Sequence, residues 1–70
     1  MSAMRHFTKR DAPKPARIRE LRTAAELSQS DAAGMLGVSL RTWQNWEAGT
    51  HCMHPIFWDD FCGRAKEMAR

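Results

Sequence analysis

From residue 16 onward apolar residues return at helical intervals, and nowhere do they alternate with polar ones over the length of a strand. Ile18, Leu21 and Ala25, with Arg22 between them, predict a first helix over about residues 15–26. Pro15 suits its first turn, where a missing N–H costs nothing. Ala32, Ala33 and Leu36 predict a second helix over about 29–36. Ser28 is placed to cap it, Asp31 puts negative charge in its first turn, and Gly37 is placed to end it. Gly34 weakens that helix by up to about 1 kcal/mol relative to Ala; a close helix–helix approach would account for it. Val38 then enters a short turn, and Ser39 caps a third helix over about 40–48 in which Trp43 and Trp46 share one face. Gly49 ends it. Ile56, Phe57, Trp58, Phe61, Ala65 and Met68 form a broad apolar stripe on a fourth helix over about 55–68. The expected fold is a compact, all-α domain of four to five helices.

Residues 1–14 lack this periodicity, and Pro13 and Pro15 bracket Lys14, so that stretch reads as a flexible basic arm preceding a domain at 15–70. Charge sharpens the division. Residues 1–22 hold seven basic side chains and two acidic ones, a net of +5, whereas the rest of the chain sums to −2 within a total of +3. A basic leading segment is the footprint of a phosphate-backbone binder, although a solvated tail has the same composition.

Seventy residues make one domain, and a chain of that size buries only about 60% of its unfolded surface, which makes a second copy energetically plausible. They leave no room for a substrate cleft beside a separate cofactor-binding unit, so neither an enzyme nor a cofactor is expected. No apolar run approaches the roughly 18 residues of a membrane span, and no hydrophobic signal region follows the basic start. Two cysteines, Cys52 and Cys62, do not make a disulfide framework and suit a reducing cytoplasm. His51, Cys52, His54 and Cys62 invite a zinc reading, but paired-ligand spacing is absent at both ends, and loop histidines with small apolar cysteines explain them better.

The informative stretch is Leu27–Gly49, LSQSDAAGMLGVSLRTWQNWEAG. Two short helices about the Gly37-Val38-Ser39 turn are the parts of a helix-turn-helix. Ala33 is small where the helices cross, Val38 and Trp43 are apolar where the turn must pack, and Leu40, Arg41, Gln44 and Asn45 are left on the opposite face. Leu27-Ser28-Gln29, Ala33, Leu36-Gly37-Val38-Ser39, Thr42 and Trp46-Glu47-Ala48-Gly49 together resemble the XRE family, the phage Cro and repressor type of helix-turn-helix protein. With the preceding helix the resemblance covers about residues 16–50. It extends to small regulators of phages and mobile elements, the anti-CRISPR-associated repressors among them.

The resemblance implies a sequence-specific DNA-binding transcriptional regulator, most simply a dimeric, self-regulating repressor in the cytoplasm, held at the nucleoid by its DNA. Its partners would be an inverted-repeat operator in double-stranded DNA and a second copy of itself, with no membrane and no small-molecule effector. By position, Leu40, Arg41, Gln44 and Asn45 would read bases. Gln29 and Ser39 would sit on the DNA backbone, and Arg22 would pair with Glu47. Thr42, Thr50, Arg10, Lys14 and Arg17 are further candidates for phosphate contacts. The chemistry agrees: Arg41 can bind guanine O6 and N7, Asn45 or Gln44 can pair with adenine, and Leu40 can only touch a thymine methyl. A solvated helix face would explain the same polar residues without DNA, and a buried Arg22–Glu47 pair can fix two helices on its own. Trp43 and Trp46 could stack on bases, but their spacing with Val38 assigns them to the core. Phe57, Trp58 and Phe61 exceed what so small a domain easily buries and are candidates for the dimer interface, the plain alternative being that all three complete the monomer core. An antitoxin that grips a protein partner is the alternative reading. Activation through acidic contacts from Asp31 or Asp59-Asp60 is a variant of the first.

Overall fold

A computed structural model describes residues 11–68. Four helices follow one another, α1 (Pro15–Ala24), α2 (Gln29–Leu36), α3 (Leu40–Ala48) and α4 (Pro55–Met68), and no strand occurs among the described residues. The fold is all-α. Residues 1–10 of the expected arm, Arg10 included, lie outside the described part.

Three successive helices end in the same way. The N–H of Val38 donates to Ala33 O and that of Gly37 to Gly34 O; Thr50 and Gly49 repeat the pattern on Asn45 and Trp46. This is the Schellman arrangement, which consumes the last free carbonyls and needs one left-handed residue. Gly37 and Gly49 supply it at φ +71° and +84°. At the end of α1 the same bonds run from Leu27 to Arg22 and from Glu26 to Thr23, and the left-handed residue is Glu26 at φ +60°. The turn forms there even though a side chain pays for that conformation. It therefore stops α1 at Ala24, two residues before the end expected from the apolar spacing.

The starts are equally local in origin. Ser28 and Asp31 exchange side-chain and backbone bonds in a capping box (2.9 and 3.2 Å), and Ser39 Oγ accepts from Thr42 N at 3.1 Å. His54 Nδ1 accepts from Ile56 N at the head of α4.

α2 lies most extensively against α3, while α1 braces α3 and both α1 and α2 touch α4. The core between them is Ile18, Ala32, Ala33, Trp43, Trp46, Met53, Phe61 and Ala65. Its aromatic centre is built edge-to-face: Trp43 meets Trp46 at 5.7 Å and Phe61 at 4.9 Å between ring centroids. Phe57 tilts onto Trp46 at 5.4 Å. Such pairs add about 0.5–1.5 kcal/mol beyond their burial.

Three expectations change here. Phe61 is fully buried, packed edge-to-face on Trp43, and so offers no surface to a second copy. Phe57 and Trp58 are half-buried against the same core, and the stripe on α4 leaves Ile56 and Met68 exposed rather than packed. Gly34 sits at no close helix approach: a β-carbon there would meet nothing within 4 Å. Met53, between α3 and α4, also belongs to the core.

Candidate nucleic-acid interface

α3 is fixed from behind by one carboxylate. The Glu47 side chain is 3% exposed and accepts four hydrogen bonds. Arg22 of α1 reaches it through Nε at 2.5 Å and Nη2 at 3.1 Å, Gln29 of α2 through Nε2 at 3.0 Å, and Trp43 through its indole N–H at 2.7 Å. Arg22 Nη1 turns back to Leu27 O at 2.9 Å, across the turn that Glu26 makes possible. Arg19 Nε stands 3.8 Å from Glu47 Oε1 with most of its side chain in solvent. Burial pushes the Glu47 carboxyl up, but the bonds from Arg22, Trp43 and Gln29 and the Arg22 charge outweigh it, and the net pKa lies below the ordinary 4.5. The carboxylate is therefore ionised wherever the protein is folded near neutral pH. One residue thus ties α1, α2 and α3 into a single unit.

The other face of α3 makes few such bonds. Leu40, Arg41 and Gln44 are exposed, and neither Arg41 nor Gln44 has a side-chain partner among the described residues. Asn45 is half-buried at the flank, where the Thr50 hydroxyl lies 3.3 Å from both its Oδ1 and its backbone carbonyl. That leaves the Asn45 amide hydrogens as its outward donors. At the head of the helix Ser39 Oγ donates to Thr42 Oγ1 at 3.0 Å, which frees the Thr42 hydroxyl hydrogen to donate outward. Free N–H groups in the first turn add partial positive charge at the same end.

Two further basic candidates lie at the start of α1. A β-carbon at Gly49 would stand 3.4 Å from the Pro15 ring, so the chain enters α1 beside the end of α3. Lys14 is exposed at that entry, and Arg17 is exposed in a solvent-facing pair with Glu20 at 2.9 Å, which holds it only weakly. Of the sequence-derived candidates, the structure gathers Leu40, Arg41, Gln44, Asn45, Ser39, Thr42 and Thr50 on or beside α3. It turns Gln29 inward onto Glu47 with part of its surface still open, and seats Arg22 on the same carboxylate.

The whole of residues 16–63 matches a family model described as a helix-turn-helix domain. The chain belongs to that family. The match contains all of Leu27–Gly49, the segment that resembles XRE proteins, and a helix-turn-helix is a DNA-binding arrangement. A stretch of 45 residues, 64% of the chain, is also 38% identical to the type II methyltransferase M.MspI of a Moraxella species. The chain spans 11% of the length of that curated relative.

Two members of this helix-turn-helix arrangement escape sequence reasoning. Arg19 is one, although its place three residues before Arg22 puts both on one side of α1. The indole N–H of Trp43 is the other; its spacing of four from Glu47 is the signal. Among the described residues no three His, Cys, Asp or Glu side chains gather to hold a metal ion, and no helix is long and apolar enough to cross a membrane. Cys52 is exposed. Burial, helped by Asp59 and opposed by Arg17 and Lys66, raises the Cys62 thiol and keeps it protonated.

Proposed function

We propose that this helix-turn-helix protein is a transcriptional repressor that binds an inverted-repeat operator as a homodimer and blocks a promoter, its own included, by occupancy. The observation that carries the reading is the division of α3: a back face locked on Glu47 and a front face whose Arg41 and Gln44 have no partner among the described residues. Such a helix enters the major groove already rigid, so little ordering entropy is lost on binding. Arg41 binds a guanine, Gln44 or Asn45 an adenine, each good pair contributing about 1–3 kcal/mol of discrimination. Ser39, Thr42, Thr50, Lys14 and Arg17 contact phosphates, and Gln29 bridges backbone and Glu47. Occupancy then falls steeply with salt, as it does wherever phosphate contacts release counterions. The domain acts by binding, without catalysis or cofactor, on DNA in the cytoplasm.

Dimerisation is supported by the first turn of α4, where Ile56 is 67% exposed beside the half-buried Phe57 and Trp58. A two-fold dimer reading an inverted repeat has to present its recognition helices about 34 Å apart, one turn of the duplex. A second reading rests on the methyltransferase likeness: the same domain serves as a DNA-positioning segment within a larger polypeptide.

Selection of sites from random DNA, with the parent protein beside Arg41→Ala, tests the proposal. An enriched inverted repeat whose guanine preference is lost in the variant supports it. A single half-site favours the second reading, and no enriched sequence from a folded protein overturns both.

A further inference from the structure

Leu40 is the anomaly of the reading face. It is 42% exposed, and unlike Leu36 and Val38 just before it, it does not join the apolar residues packed on the core. A polar residue would serve as well at the first position of this helix, so the exposed part of the Leu40 side chain has no structural use inside the domain. Its neighbour Arg41 is exposed, with no ion-pair or hydrogen-bond partner among the described residues.

The two side chains follow each other on one turn. Their α-carbons are about 3.8 Å apart, close to the ~3.4 Å step between bases on one strand. They diverge by about 100° around the helix axis, which lets them reach two adjacent base pairs. Arg41 has the five-donor fork that fits guanine O6 and N7. Leu40 has no donor or acceptor in its side chain, and the apolar feature that the major-groove edge offers it is a methyl group on pyrimidine C5. Thymine carries that methyl and cytosine lacks it. A cytosine methylated at C5 presents the same group at the same place.

Resting on the DNA-reading assignment above, we infer that Leu40 and Arg41 together recognise a guanine flanked by a C5-methylated pyrimidine, so that affinity responds to cytosine methylation. Arg41 supplies the base identity, and Leu40 supplies a methyl sensor that is blind to whether the methyl sits on thymine or on 5-methylcytosine. DNA methylation at that step then strengthens binding, whereas a protein reading cytosine through its amino group would be indifferent to the methyl or blocked by it. One methyl group removed from water is worth about 0.8 kcal/mol, which converts to roughly fourfold in affinity per half-site.

The test uses the full chain and the site it enriches from random DNA. Loss of one guanine preference in Arg41→Ala locates the base pair read by Arg41. Duplexes are then made with thymine, uracil, cytosine or 5-methylcytosine at the adjacent pyrimidine of one half-site, and dissociation constants are measured by fluorescence anisotropy. Thymine binding about fourfold tighter than uracil, and 5-methylcytosine about fourfold tighter than cytosine, is the expected result. In Leu40→Ala, shown to be folded by its thermal melt, both gaps close while the guanine preference stays. Equal affinity for thymine and uracil, a gap that survives Leu40→Ala, or an enriched site with no thymine beside that guanine overturns the inference and leaves the DNA-reading assignment standing. An absence of any enriched site overturns that assignment, and the inference with it.

Discussion

The back and front of α3 alternate along the same nine residues yet differ in kind. On the back, Trp43 and Trp46 are buried, and Glu47 accepts from three side chains on three helices. On the front, Leu40, Arg41 and Gln44 stand in solvent with no such partners among the described residues. Stability is therefore concentrated on one side of the helix and readiness to bind on the other. A buried polar group left unpaired is costly, so the back must be fully satisfied, and it is: no buried side-chain nitrogen or oxygen among the described residues lacks a partner. Exposed polar groups cost little while unpaired, so the front can wait for a ligand.

The comparison breaks most severely at its aromatic centre. Trp43→Ala removes the ring on which Trp46 and Phe61 pack, and should cost about 3–5 kcal/mol in chemical denaturation, most of the stability of so small a domain. Glu47→Ala should cost about 3 kcal/mol, because Nε and Nη2 of Arg22 and the Trp43 N–H are left inside without an acceptor, Arg22 keeping only its bond to Leu27 O. The parent shows the same dependence against pH. The Glu47 pKa is lower folded than unfolded, so its contribution is present in full above about 4.5 and is lost as pH falls through the folded value. Acid unfolding followed by tryptophan fluorescence should shift in Glu47→Gln; superimposable acid transitions would remove Glu47 from the account. Glu26→Gly acts in the opposite direction. It relieves the left-handed residue that returns Leu27 to Arg22, and should stabilise the protein by about 1 kcal/mol in the same denaturation assay. The smallest effect belongs to the front. Arg41→Ala and Gln44→Ala should leave stability within about 0.5 kcal/mol while lowering operator affinity, and a large loss of stability would show that the two faces are not independent.

Much of this division is legible before any fold is known. Ser28 with Asp31, Ser39, Gly37 and Gly49 carry their own instructions, since caps and left-handed turns depend on residues within one turn of chain. The face of α3 bearing Leu40, Arg41 and Gln44 follows from helical spacing against Trp43 and Trp46. The left-handed Glu26 is illegible, because the residue type argues against the conformation and the surrounding bonds impose it.

The sequence by itself therefore determined the all-α class, the places of the caps and the helix-turn-helix at its centre, all of them properties of short-range order. Tertiary structure decided what each surplus group does. It placed Phe61 beneath Trp43 rather than at a second copy, drew Met53 into the core, and brought Arg19 and Gln29 from separate helices to the carboxylate of Glu47. Those outcomes depend on where residues distant in the chain come to lie, and local periodicity holds no record of that.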